Sequence, residues 1–160
     1  MRFLLITLLA IIIIAAPASA SSCYRAQEVE AEQGIRIHSE LMVIGLNCQH
    51  MTPTGYKNFY TQYREFTAKH GDLFATYEEV LMRHFRKNGK GSAEKQLNTM
   101  RTDFANKISK DAAKLRPDIF CSQYSLRIPK AAKMSRDEVR TWAATVYPGT
   151  SVSQPLCAAN

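Results

Sequence analysis

The sequence predicts an all-α, single-domain helical bundle of five to six helices held by two disulfides. Three observations lead there. Apolar residues recur at steps of three and four along most of the chain, the period of a helix with one buried face. No alternating strand pattern of useful length appears. Four cysteines, Cys23, Cys48, Cys121 and Cys157, stand in a chain that opens with an export-type leader.

The leader is MRFLLITLLAIIIIAAPASA, residues 1–20. A basic Arg2, an apolar run from Phe3 to Ala16 and a small-x-small end at Ala18 to Ala20 describe a secretory signal peptide cut after Ala20. The alternative is a membrane anchor, but the apolar run is shorter than the ~20 residues a span needs. The expected organisation is therefore a signal peptide at 1–20, a helical domain at 21–149 and an irregular tail at 150–160. The expected location is the periplasm or the exterior. Cys23 follows the leader closely enough to raise lipoprotein anchoring. Ala20, Ser21 and Ser22 precede it without the usual leucine three places upstream, and lipidation would leave one of three thiols unpaired.

An even cysteine count in an exported chain reads as two disulfides, for which three connectivities exist. The expected pairing is Cys48 with Cys121 and Cys23 with Cys157, because the second bridge would tie down both chain ends. No CxxC spacing points to redox or zinc chemistry.

The central helix is expected to begin near Ala26 and to end by Asn47 or Cys48. Val29, Gln33, Ile37, Leu41, Ile44 and Cys48 share one seam, with Ile35, Met42 and Leu46 on a second, so its C-terminal half is apolar nearly all round. Gly34 inside it costs about 1 kcal/mol against alanine, which implies a close approach of another backbone. The linker from Gln49 to Gly55 offers Thr52 as the next cap. Tyr56 to His70 then carries Tyr56, Phe59, Tyr60, Tyr63 and Phe66, a stripe that reads as core filling more readily than as a stacking platform. Gly71 should end this helix, with Asp72 capping the next.

Asp72 to Lys87 presents Leu73, Phe74, Tyr77, Val80, Leu81, His84 and Phe85, with a basic last turn that suits the helix dipole. The NGKGS segment from Asn88 lacks phosphate-loop spacing and reads as a connection capped by Ser92. Ala93 to Arg116 forms the longest pattern, with Leu97, Met100, Phe104, Ile108, Ala112 and Leu115 inward, stopped by Pro117. Thr99, Asp103, Asn106 and Ser109 make a polar ribbon beside that face, expected to bond to a neighbouring helix's backbone rather than to line a cleft. A short helix from Asp118 to Leu126 should end at Pro129. A basic connection from Lys130 then leads to a capping box, Ser135 with Glu138, and a last helix presenting Val139, Trp142, Ala143 and Val146 before Pro148.

The formal net charge is +7, and cleavage would remove one basic residue and no acid. An excess of this size fits attraction to polyanions. For an exported chain the expected partners are an anionic membrane surface or a cell-wall polymer, and nucleic acid is not expected. Candidate contacts are Arg83, Arg86, Lys87, Lys90, Lys95 and Arg101. His38, His50, His70 and His84 show no i, i+4 spacing for a metal, and neither a metal nor another cofactor is expected. The function expected is a non-enzymatic binding module. A muralytic hydrolase, which needs two carboxylates across a cleft, and a structural or chaperone-like periplasmic component are the alternatives.

LMVIGLNC at Leu41–Cys48, YKNFY at Tyr56–Tyr60, TDFANKIS at Thr102–Ser109 and FC at Phe120–Cys121 together resemble a group of small exported proteins of alphaproteobacteria with no assigned activity. The resemblance spans Cys23 to Cys121. It implies bacterial export and a structural role for Cys48 and Cys121, and it carries over no catalytic residue.

Overall fold

The computed structural model describes residues 22–88, 91–146 and 151–158. The expected signal peptide at 1–20, Lys90 and the expected helix stop at Pro148 and Gly149 lie outside the described residues. The helices are α1 (Ala26–Cys48), α2 (Phe59–Lys69), α3 (Gly71–Asn88), α4 (Ala93–Lys114), α5 (Pro117–Tyr124), α6 (Arg127–Lys133) and α7 (Arg136–Ala144), with one 3-10 turn at Gln49–Met51. No strand occurs among the described residues, which hold one isolated parallel bridge between Tyr24 and Leu156. No helix among them is long and apolar enough to cross a membrane.

Helix α1 is the rod on which the others pack, touching α2, α3, α4, α5, α6 and α7. Its predicted seam, from Val29 through Gln33, Ile37, Leu41 and Ile44 to Cys48, is buried throughout. The second seam holds only in part: Ile35 is buried, while Leu46 is 42% exposed near the end of the rod. A Cβ on Gly45 would stand 3.4 Å from the Tyr60 backbone, so the close helix approach falls there. At Gly34 the close neighbour is the Tyr77 ring rather than a backbone, only 2.3 Å from where a Cβ would lie. That ring is buried, and its hydroxyl donates to Glu30 over 2.9 Å, so it cannot swing away freely. Gly34→Ala should therefore lose up to about 2 kcal/mol, an overpacking cost of about 1–3 set against about 1 kcal/mol of helix propensity gained. Thermal denaturation checks it, with Gly34→Ala/Tyr77→Ala expected to lose less than the two single changes combined.

Local caps set most boundaries. Asn58 Oδ1 accepts from the Tyr60 and Thr61 amides at 2.9 and 3.2 Å and opens α2. Thr52, the expected cap, reaches the same end by accepting from the Phe59 amide at 3.1 Å. Tyr56 consequently precedes the helix and is exposed, while Phe59, Tyr63 and Phe66 fill the core as the stripe implied. Ser92 caps α4 and the Ser135–Glu138 box opens α7. Every inward residue read for α3 is buried.

Both expected disulfides are present. Cys48–Cys121 ties the end of α1 to α5 across a Cα–Cα distance of 5.5 Å. Cys23–Cys157 joins the lead-in of α1 to the C-terminal segment across 4.9 Å. Beside it, the Tyr24 amide donates to Pro155 at 2.8 Å and the Cys157 amide to Tyr24 at 2.9 Å, which seats residues 151–158 along the start of α1 as a strap.

Candidate functional site

The strap is held by chemistry that apolar periodicity does not reveal. On α1, one turn apart, Glu32 is fully buried and Arg36 is 5% exposed. Burying charge is costly unless each group is paired and hydrogen-bonded. Glu32 accepts from the Ser153 amide at 2.9 Å and from its hydroxyl, and lies 3.7 Å from the Arg36 guanidinium. Arg36 donates from Nη2 to the Ser151 carbonyl at 2.9 Å and sits 4.3 Å over the Phe104 ring. Its Nε–H is buried with no acceptor among the described residues. Tyr24 joins the network with its hydroxyl 3.3 Å from Ser153 Oγ; burial, reinforced by the Glu32 charge, pushes that hydroxyl well above the ordinary phenol range.

Two clefts flank Arg36. The first, about 690 Å³, runs between α1, α4, the end of α3 and the strap, with Phe85, Met100, Phe104 and Val152 among its apolar lining and Lys95, Asp103 and Lys107 among its charged lining. The second, about 680 Å³, lies between α1, α6 and α7 and is lined by Gln33, Ile37, Glu40, Arg127, Met134 and Trp142 among others. In it Glu40 pairs with Arg127 at 3.2 Å, and burial raises the Glu40 carboxyl above its usual range, with Arg127 opposing. Arg127 also stands 5.0 Å from the centre of the Tyr124 ring.

The basic residues singled out from the sequence separate in space. Arg83 is tied to Glu79 at 3.2 Å and Arg101 to Glu78, so both charges are compensated. Arg86 and Lys87 are exposed in the last turn of α3, and Lys95 lines the first cleft. The polar ribbon of α4 departs from expectation. Thr99 and Asp103 line the first cleft, and Asp103, Asn106 and Ser109 line a shallow depression beside it, so the ribbon faces open space instead of a neighbouring backbone. Sequence reasoning passed over Glu32 and Arg36. The signal available was their place beside Gln33, on the helix that is buried on most sides.

The histidines sit apart. His38 packs on Phe74 and Tyr63, His70 lies 3.2 Å from the Met134 carbonyl, and His84 meets the Tyr24 ring edge-on. No group of three or more potential metal-binding side chains gathers among the described residues. Burial, helped by the Arg101 charge, lowers His38 from 6.5 to about 4. The folded protein thus holds this ring neutral where the unfolded chain would protonate it. The stability it contributes is full above pH 6.5 and drains as pH falls towards 4, by about 2–3 kcal/mol. His70 and His84 are lowered in the same sense, chiefly by burial. Urea midpoints between pH 7 and pH 4 should therefore fall steeply, and His38→Phe should flatten the profile.

Comparison with family models, with curated proteins and with solved structures finds no match, which leaves the chain's own geometry as the ground for a functional reading.

Proposed function

We propose that this chain is an exported binding module that takes an anionic partner at the corner where α3 meets α4 and the first cleft opens. One observation carries the reading: Lys87 and Lys95 make no ion pair among the described residues, and Arg86 beside them acts on the Glu94 carboxylate without closing a salt bridge to it, whereas Arg83 and Arg101 nearby are compensated. Cations left uncompensated beside a cleft draw anionic ligands and are the least costly to desolvate on contact. The leader and the two disulfides fit the periplasm or the exterior, where the available polyanions are membrane headgroups and cell-wall polymers. The resemblance to small exported alphaproteobacterial proteins fits the same compartment.

A hydrolytic role for the first cleft is less well supported, because Glu32, the carboxylate that would face Asp103, has its oxygens occupied by Ser153 and Arg36. The test is binding to phosphatidylglycerol vesicles and to purified peptidoglycan across ionic strength. Affinity should be measurable at about 10 mM salt, where the screening length is about 30 Å, and should collapse as screening shortens to about 3 Å near 1 M. Lys87→Glu/Lys95→Glu should weaken it about tenfold or more. Binding that ignores salt, or is absent at low salt for both partners, contradicts the reading.

A further inference from the structure

The second cleft differs in kind from the basic corner, and we infer that it is a carbohydrate site, receiving a ring of a neutral oligosaccharide against Trp142. Its volume, about 680 Å³, falls within the roughly 300–1,000 Å³ range of small-molecule sites. Trp142, the chain's single tryptophan, is half-buried in α7, while Val139 and Ala143 beside it are fully buried. The indole is thus anchored by its own helix and left partly open at the cleft. With Ile37 and Met134 it supplies an apolar face of the kind that receives the C–H face of a pyranose.

The polar lining carries both signs of charge, with Glu40 and Glu138 against Arg127 and Lys130, and so suits hydroxyls, which both donate and accept. Glu40 and Arg127 neutralise each other at 3.2 Å and present a carboxyl beside a guanidinium fork. Neighbouring sugar hydroxyls can donate to the one and accept from the other. Burial has already stripped water from Glu40, as its raised carboxyl pKa reflects, so a ligand bond there carries little added desolvation. Thr141 adds a hydroxyl to the same lining; its proton goes to the Asp137 carbonyl at 2.9 Å, so its oxygen is the part that can accept from a ligand. Arg36 borders this cleft too, but its guanidinium is turned to the strap and Phe104 on the side of the first cleft, so it is not counted among the sugar contacts. The other carboxylate of the cleft, Glu138, accepts from the Ser135 amide at 2.7 Å and from its hydroxyl at 2.9 Å. With Glu40 held by Arg127 and Glu138 held by Ser135, the arrangement binds rather than cleaves.

The single tryptophan makes the test direct. Tri-N-acetylchitotriose, cellotriose and maltotriose are titrated into the intact oxidised protein while its fluorescence is followed. A saturable blue shift is expected with at least one. By calorimetry, that sugar should bind about tenfold or more weakly to Arg127→Ala and to Trp142→Ala, and the milder Trp142→Phe and Thr141→Ala, whose melting temperatures should stay close to the wild type's, should each weaken it severalfold. Failure of all three sugars to give a saturable change, or calorimetric affinity that both Arg127→Ala and Trp142→Phe leave undiminished, overturns the inference. Vesicle binding by Trp142→Ala should match the wild type, so the outcome here is separate from that of the basic corner.

Discussion

Glu32→Ala is expected to lower the unfolding free energy by about 3–5 kcal/mol, the usual cost of removing one partner from a buried pair. Three things fail together. Arg36 keeps its place in the core without its counter-charge, the Ser153 amide and hydroxyl lose their acceptor, and the strap loses its tie to α1. Glu32→Gln should lose less, because an amide oxygen can still accept from Ser153. Glu32→Ala/Arg36→Met should recover part of the loss, since replacing both ends of a buried pair by apolar groups is often close to neutral. Urea denaturation reads all three, with an unchanged slope showing that the transition itself is the same. A loss below about 1 kcal/mol for Glu32→Ala would mean that the network fastens nothing.

Removing the inner disulfide should have an effect of similar size. Cys48 and Cys121 are separated by 73 residues in sequence, and the loop-entropy model assigns about 4 kcal/mol to a closure of that length. Both sulfurs are enclosed, Cys48 at 0% and Cys121 at 4% exposure, so Cys48→Ser/Cys121→Ser also leaves two hydroxyls in apolar surroundings. The melting temperature should fall by on the order of 10 °C or more. Breaking the outer bridge should act differently. Cys23→Ser/Cys157→Ser frees the strap, and with it one wall of the first cleft, while α1 stays fastened to α5. That variant should keep its helical signal at room temperature and expose Arg36 and Tyr24 to solvent, visible as faster exchange of the backbone amides at positions 24 and 157.

The helical class, the central rod and both bridges were legible because they rest on local signals. Period, caps and a cysteine count do not depend on what lies across the fold. Where the reading departs from the structure, a contact distant in sequence decided the matter. Lys130 to Arg136 was expected to be a connection because Pro129 reads as a stop. The structure instead places Pro129 third in α6, where its missing N–H is one a first turn would leave unpaired in any case. Six cations read as one basic surface, yet Arg101 is cancelled by Glu78 across the α3–α4 hairpin, 23 residues away. Glu32 and Arg36 stand one turn apart, the spacing of an ordinary solvated pair, and only a strap more than a hundred residues later turns them into a buried one. The second cleft was invisible for the same reason, since Glu40, Arg127 and Trp142 meet only when α6 and α7 close on α1.

The fold and both clefts depend on a rod fastened at both ends by oxidised cysteines, one pair sealed and the other within reach of solvent. Peptide mapping by mass spectrometry, on unreduced protein and again after brief exposure to a mild reductant, examines this directly. The predicted result is two linked peptides, Cys23 with Cys157 and Cys48 with Cys121, of which the first opens under mild reduction while the second persists. A peptide joining Cys23 to Cys48 or to Cys121, or four free thiols in the native protein, would contradict it.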